Sequence, residues 1–404
     1  MNVADGGTTE VVDVADGADG GRWVGAGGST TPDVTAAVDE ALASALQGRA
    51  PSLVVAFVSP VYPLDRVAEV LADRLGEVPV LGCSTAGEVA TSGVSDSGMV
   101  LWAIGGAGFD VAVGFGEGDE EGLRAAAAEA AGCALTVEQQ ASQVLVLLAD
   151  GLCGNQVEVV RGAYSVVGAA VPLVGGSAGD DLAMERTQVL SGTVATSEAV
   201  VAAAISSPAP IGIGVAHGWR EVGDPMLVTA SDEVIVETLD DRPALDVYLD
   251  AFGAPDEVRA DETQFVEFAV TRPLGLVRRG RTEVRYVAGA DYGRRTLRCI
   301  AEVPQGAAVH LLEGDEATVL DATDAACAAA VDGLEGRPPI GVLAFDCVAR
   351  RSVLAEGGVQ VELDRISAAT GGVPVAGFYT YGEIARTSGS GGFHNQTLVV
   401  VAFA

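Results

Sequence analysis

Three stretches of the chain carry polar groups of the kind that hold small molecules, at nearly the same spacing: Pro79–Val89 (PVLGCSTAGEV), Pro172–Leu182 (PLVGGSAGDDL) and Pro374–Ile384 (PVAGFYTYGEI). Each runs from a proline through apolar residues and glycine into small polar residues, then Gly–acid. The hydroxyls of Ser84, Thr85, Ser177 and Thr380 and the carboxylates of Glu88, Asp180 and Glu383 could bind amino and hydroxyl groups. Glycines at such a turn, Gly175 and Gly176 among them, let the backbone approach a ligand. The same residues also have a structural use, because Thr85 to Glu88, Ser177 to Asp180 and Thr380 to Glu383 share the S/T-x-x-acid spacing of a helix-starting box. The segments after the first and third copies, VATSGVSDSG and IARTSGSGG, have no helical period, so no helix of any length is expected there. Binding site and structural turn both stay open on the residues alone.

Other chemistries find less. GGSAG (175–179) has the G-x-S-x-G form of a nucleophile elbow, but the elbow needs a substantial helix directly after Ser177, and DDLAMERTQVLSG offers at most two short turns. A Ser177 hydrolase therefore ranks last among the functions considered. All 23 basic residues are arginine, so no phosphate-binding loop with its lysine can be completed. GIGVAHG (212–218) misses a dinucleotide fingerprint by one position. The three histidines, His217, His310 and His394, have no metal-ligand spacing, and no multi-ligand metal site is expected. His394 or His217 could still serve as a single axial ligand to haem. Six cysteines without a C-x-x-C pair read as buried thiols.

Each turn must be positioned by the elements around it. SLVVAFVS (52–59) is an apolar β-branched run of the doubly buried kind, and PLDRVAEVLADRL puts Leu64, Val67, Leu71 and Leu75 on one helical face before Pro79. That is a strand–helix–strand unit with a right-handed crossover as the default. QVLVLLADG (143–151) and IGVLAFDC (340–347) open two more such units, so each signature is the end of a unit's second strand, where open α/β sheets bind ligands. Strand-like segments at 98–115, 187–206, 210–220, 264–274, 282–289 and 296–313 suggest antiparallel meanders. The expected class is α/β: two α/β domains with mixed sheets, repeated strand–helix–strand units and meanders. The expected division is a flexible acidic tail at 1–28, a first domain at 29–238 and a second at 239–404.

With 404 residues, the chain exceeds one compact core. Its net charge of −33 repels phosphate backbones and anionic lipid, so neither nucleic acid nor membrane is an expected partner. No run reaches the length of a membrane span, and the start lacks the basic and apolar regions of a signal peptide, which points to a cytoplasmic protein. Dense carboxylates without lysine suit a halophile's salty interior.

Taken together, LGCSTAGEV, LLADGLCGNQVEVVRG, VPLVGGSAGDD, IGIGVAHGW, RPALDVY, VAGFYTYGEI and FHNQT, in that order over about residues 30 to 400, resemble the FIST family of FIST-N plus FIST-C sensory proteins. The resemblance implies an intracellular sensor that binds a small polar metabolite such as an amino acid, without established catalysis, and signals through a partner protein, since the chain ends at Ala404 soon after the last motif. Haem-binding nitric oxide sensors in the family make haem the alternative. The resemblance marks Cys83, Ser84, Thr85, Glu88, Gly175, Gly176, Ser177, Asp180, Tyr379, Tyr381, Glu383, His394 and Asn395 as signature positions. At least two of the three turns are expected to converge on one pocket, with His394 nearby.

Overall fold

The computed structural model describes residues 21–278, 281–387 and 391–404, the side chains of Arg278, Arg281 and Glu356 excepted. Residues 1–20 of the expected tail lie outside that range. The remainder of the expected tail is ordered structure, for Trp23–Ser29 is a strand. Its glycines serve close packing. A Cβ on Gly25 would stand 1.9 Å from the carbonyl oxygen of Ala45 in the helix Val34–Leu46, so only glycine lets the helix lie on this strand.

The same device recurs twice, and it reveals the plan of the molecule. Gly114 in Asp110–Glu117 meets Ala130 of the helix Leu123–Ala131, and Gly212 in Ile211–Ala216 meets Ala330 of the helix Glu316–Asp332. Each of these strand–helix pairs opens a structural unit. In the first unit there follow the strand Leu53–Val58, the helix Leu64–Leu75, the strand Val80–Ser84 and, after a hairpin, the strand Met99–Gly105. The second continues with Ser142–Ala149, Val157–Val167, Leu173–Ser177, a hairpin and Ala199–Ser207. The third has Gly341–Cys347, Val348–Ala369, Val375–Thr380, a hairpin and Leu398–Phe403. The mixed α/β class expected from the sequence is what forms, with the strand–helix–strand strands paired in parallel as predicted.

Each hairpin joins the sheet of another unit. Glu88–Ala90 of the first unit pairs with Val375–Thr380 of the third, with Val89 opposite Gly377. Glu383–Arg386 of the third pairs with Leu173–Ser177 of the second, with Glu383 opposite Gly176. Val189–Ser191 of the second pairs with Val80–Ser84 of the first, with Val189 opposite Cys83. The exchange closes on itself. All three sheets turn one face to a shared core in which Phe57 stacks on Phe378 at 4.9 Å between ring centroids and Trp102 lies 5.1 Å from Phe403. In the first unit the opposite face, with Val54, Ala56 and Val58, is covered by helices. Alternation along Leu53–Val58 therefore divides one continuous apolar run between two cores.

Between the first strand and first helix of the third unit lies an eight-stranded antiparallel sheet built from residues 220–313, with its own core around Tyr248 and Phe265. Its strand Arg220–Asp232 precedes residue 238 and pairs with Ala308–Glu313 beyond it. Residues 262–269, which largely coincide with an expected strand, form a helix. Asp261 caps it by accepting the N–H of Thr263, and Phe265 and Ala269 bury one face.

Candidate functional site

The three signature turns meet. Ala86 N–H donates to the Tyr379 carbonyl at 3.1 Å, and Tyr379 N–H returns a bond to Gly87 O at 2.8 Å. Gly179 N–H donates to Ser84 O at 3.0 Å, Ser177 N–H to Gly382 O at 2.8 Å and Tyr381 N–H to Ser177 O at 3.2 Å. Every turn thus bonds to both others through main chain, which fixes where the three units join.

Most of their polar side chains serve this junction. Thr85 donates its hydroxyl to Glu88 Oε1 at 2.5 Å, while Gly98 N–H reaches Glu88 Oε2 at 3.1 Å. Thr380, Glu383 and Thr397 N–H repeat the pattern at 2.5 and 3.1 Å. Both glutamates are fully buried, and burial pushes each carboxyl up to about 8 against the pull of these bonds. In the second unit comparable bonds are made by Asp150, which follows the strand Ser142–Ala149 and takes the Thr187 hydroxyl and the N–H of Glu198. Asp180 accepts from the N–H groups of Met184, Glu185 and Arg186 and from the Tyr381 hydroxyl. Burial opposes its ionisation, but these four donors hold its carboxyl below the usual range. The T-x-x-E spacing therefore cements a turn that enters a strand, not a helix.

Beside the junction opens a cavity of about 630 Å³, within the usual size of small-molecule sites. The first unit contributes Ala86, Val94 and Asp96, the second Asp181 and Leu182, and the third Val348, Arg351, Ser352, Ala355, Val359 and Gln360. All three units line it. One guanidinium, two carboxylates, a hydroxyl and an amide stand among apolar walls, an arrangement able to hold a molecule bearing both charges. Arg351 is fixed by a bond to Ala86 O at 3.0 Å, by an ion pair with Asp96 and by the Tyr379 ring 4.9 Å beneath it. Asp181 accepts from the Ser59 hydroxyl at 3.3 Å, and burial raises its carboxyl. Strained backbone marks the rim: Asp181 and Leu182 have φ of 54° and 63°, and Ala355 breaks the helix Val348–Ala369 at φ 53°, ψ −176°, a region otherwise kept for glycine.

The first turn of that broken helix is anchored from within. Arg350, fully buried, bonds Asp346 Oδ1 at 2.6 Å, Glu362 Oε1 at 2.5 Å and the Thr323 hydroxyl at 3.2 Å. Glu362 lies beyond the break, so Arg350 ties the two helical segments together. Burial raises the Asp346 carboxyl strongly despite the adjacent Arg350, with Glu362 adding to the effect.

Two family models match the chain: the FIST N domain over residues 52–242 and the FIST C domain over 244–386. The chain belongs to the FIST family. FIST domains are sensory domains that bind small ligands. Two curated relatives are an uncharacterized protein of Mycobacterium tuberculosis, 29% identical over 194 residues (47% of this chain, 50% of the relative), and one of Mycobacterium bovis, 27% identical over 193 residues (47% and 49%). The chain spans about half the length of the curated relatives it matches. A structure of PurLQS from Thermotoga maritima superposes with a TM-score of 0.22 at 11% identity, covering 94% of this chain and 72% of that one, a likeness too low to carry any argument.

None of the FIST signature residues named from the sequence lines the cavity, though two of them support residues that do. Tyr379 positions Arg351, and Tyr381 accepts the N–H of Leu182 at 2.8 Å. Ser84 bonds the backbone of Gln188, and Cys83 faces the shared core, where burial pushes its thiol up. Gly175 and Gly176 are buried strand residues against Leu147 and Thr380. Ser177 is buried and donates to the Gln156 amide oxygen at 3.0 Å, a partner that cannot act as its base. Asn395 is buried, and neither polar atom of its side chain has a partner among the described residues.

His394 Nε2 lies 3.1 Å from Ala385 O, and His217 accepts the Trp219 N–H at 3.0 Å. Burial, with His394 and Arg350 nearby, lowers His217 to about 4. Haem does not fit the cavity, since among the described residues no His, Cys, Met or Tyr lines it to serve as axial ligand. Asp96, Asp181 and Arg351 went unseen in the sequence. The signal available was an arginine pair, Arg350-Arg351, shortly after the strand Gly341–Cys347.

Proposed function

We propose that this chain is an intracellular sensor of a small polar metabolite, an amino acid or a close relative, whose binding site is the 630 Å³ cavity at the junction of the three units. The observation that carries the proposal is the composition of that cavity. Arg351 offers a fork for a carboxylate, Asp181 and Asp96 offer acceptors for an ammonium group, and Val94, Val348 and Val359 offer an apolar wall. A ligand there touches every unit at once, so occupancy favours one arrangement of the three over any other. Signalling then passes to a partner protein through that arrangement. The signature residues act indirectly, by holding the turns that place Ala86, Asp181 and Leu182.

The test is mass spectrometry of small molecules released on denaturing protein purified in molar salt. A stoichiometric zwitterionic metabolite supports the proposal. Haem, or a ligand retained after Arg351→Ala, contradicts it.

A further inference from the structure

Arg351 already holds an anion, and that anion belongs to the protein. Its Nη1 is committed to Ala86 O and its plane to the Tyr379 ring, so both stay engaged whatever enters the cavity. Its Nη2 is paired with Asp96, whose side chain is 64% exposed, against 26% for Arg351. Asp96 follows the strand Gly93–Ser95, which forms the edge of the third unit's sheet and pairs there with Glu88–Ala90, with Val94 packed on the core and Asp96 O accepting the Ser59 hydroxyl at 3.2 Å. The pairing is therefore made by a well-anchored cation and an exposed carboxylate at the end of an edge strand.

Resting on the assignment of the cavity as the ligand site, we propose that Asp96 is a built-in surrogate for the ligand: an anionic group, carboxylate or phosphate, binds Arg351 by displacing Asp96 and so releases the 93–96 edge. Guanidinium forks accept either anion. The exchange makes and breaks one ion pair, so it is nearly balanced, which suits a switch. The segment released is contributed by the first unit to the third unit's sheet, and its release reports occupancy across that junction.

The experiment titrates the full chain with sodium acetate and, separately, sodium phosphate at constant high ionic strength, read by chemical shifts of the arginine side chains. Asp96→Asn is expected to bind the preferred anion about two- to fivefold more tightly than wild type, the range set by an exposed ion pair. Asp181→Asn removes an equal charge from the same cavity without freeing Arg351, and is expected to gain less. Arg351→Gln is expected to bind neither anion. Whichever of acetate and phosphate binds identifies the source of the anionic group. Equal affinities in wild type and Asp96→Asn, or equal gains in Asp96→Asn and Asp181→Asn, overturn the surrogate role while leaving the cavity intact. Binding that is indifferent to Arg351→Gln, or no binding even to Asp96→Asn, overturns the cavity assignment itself.

Discussion

Replacing Glu383 by Gln tests how the signature turns are built. Glu383 is fully buried and its carboxyl sits at about 8, against an ordinary value of 4.5, because burial disfavours its charge more than Thr380 and Thr397 favour it. Between those values the folded protein keeps the proton and the unfolded chain has lost it. The unfolded state then binds fewer protons, so this group's contribution to stability is complete below about pH 4.5 and declines as pH rises towards 8. The decline is about 1.4 kcal/mol per pH unit, or about 3 kcal/mol from pH 5.5 to 7.5. Glutamine carries no such proton, and its amide can face Thr380 Oγ1 while its carbonyl accepts Thr397 N–H. Urea unfolding in constant molar salt should therefore show the variant gaining about 3 kcal/mol on wild type over that interval. Parallel pH profiles would refute the reasoning and place an ionised carboxylate inside the junction.

Two further substitutions probe the broken helix. Arg350→Met leaves Asp346 and Glu362 buried without their shared guanidinium, and should cost about 3–5 kcal/mol in chemical denaturation, partly recovered when Asp346→Asn is added. Ala355→Gly removes the Cβ that makes φ 53°, ψ −176° unfavourable and should stabilise the protein by about 1 kcal/mol, seen as a raised unfolding midpoint.

The units themselves could be read from the sequence because their signals are local. Leu53–Val58 is written as an unbroken apolar run rich in valine and Leu64, Val67, Leu71 and Leu75 as one helical stripe, and both formed. The threefold plan was harder to see, since residues 220–313 separate the third unit's first strand from its first helix. Its clearest marks, Gly25, Gly114 and Gly212, have a meaning only against the helix each one meets. Read alone, Gly25 fell within the expected tail at 1–28 and Gly212 in a failed dinucleotide motif. The hairpin exchange leaves no local pattern at all, as strands some 290 residues apart pair in it. At the site, spacing rightly singled out three special turns, but not their use. Thr85 with Glu88 and Thr380 with Glu383 satisfy each other, while Asp96, Asp181 and Arg351 come from different units and converge only in the fold.

The central claim is that one cavity, shared by three units, holds the ligand. Ser352 lies on its wall, on the helix Val348–Ala369 and outside the signature turns, and tryptophan there would fill the space without replacing any signature residue. The direct measurement compares small molecules released from wild type and Ser352→Trp, purified side by side in molar salt and shown to unfold at matching urea midpoints. A zwitterionic metabolite present in wild type and lost from the variant is the result predicted here; the same metabolite released equally from both would contradict it.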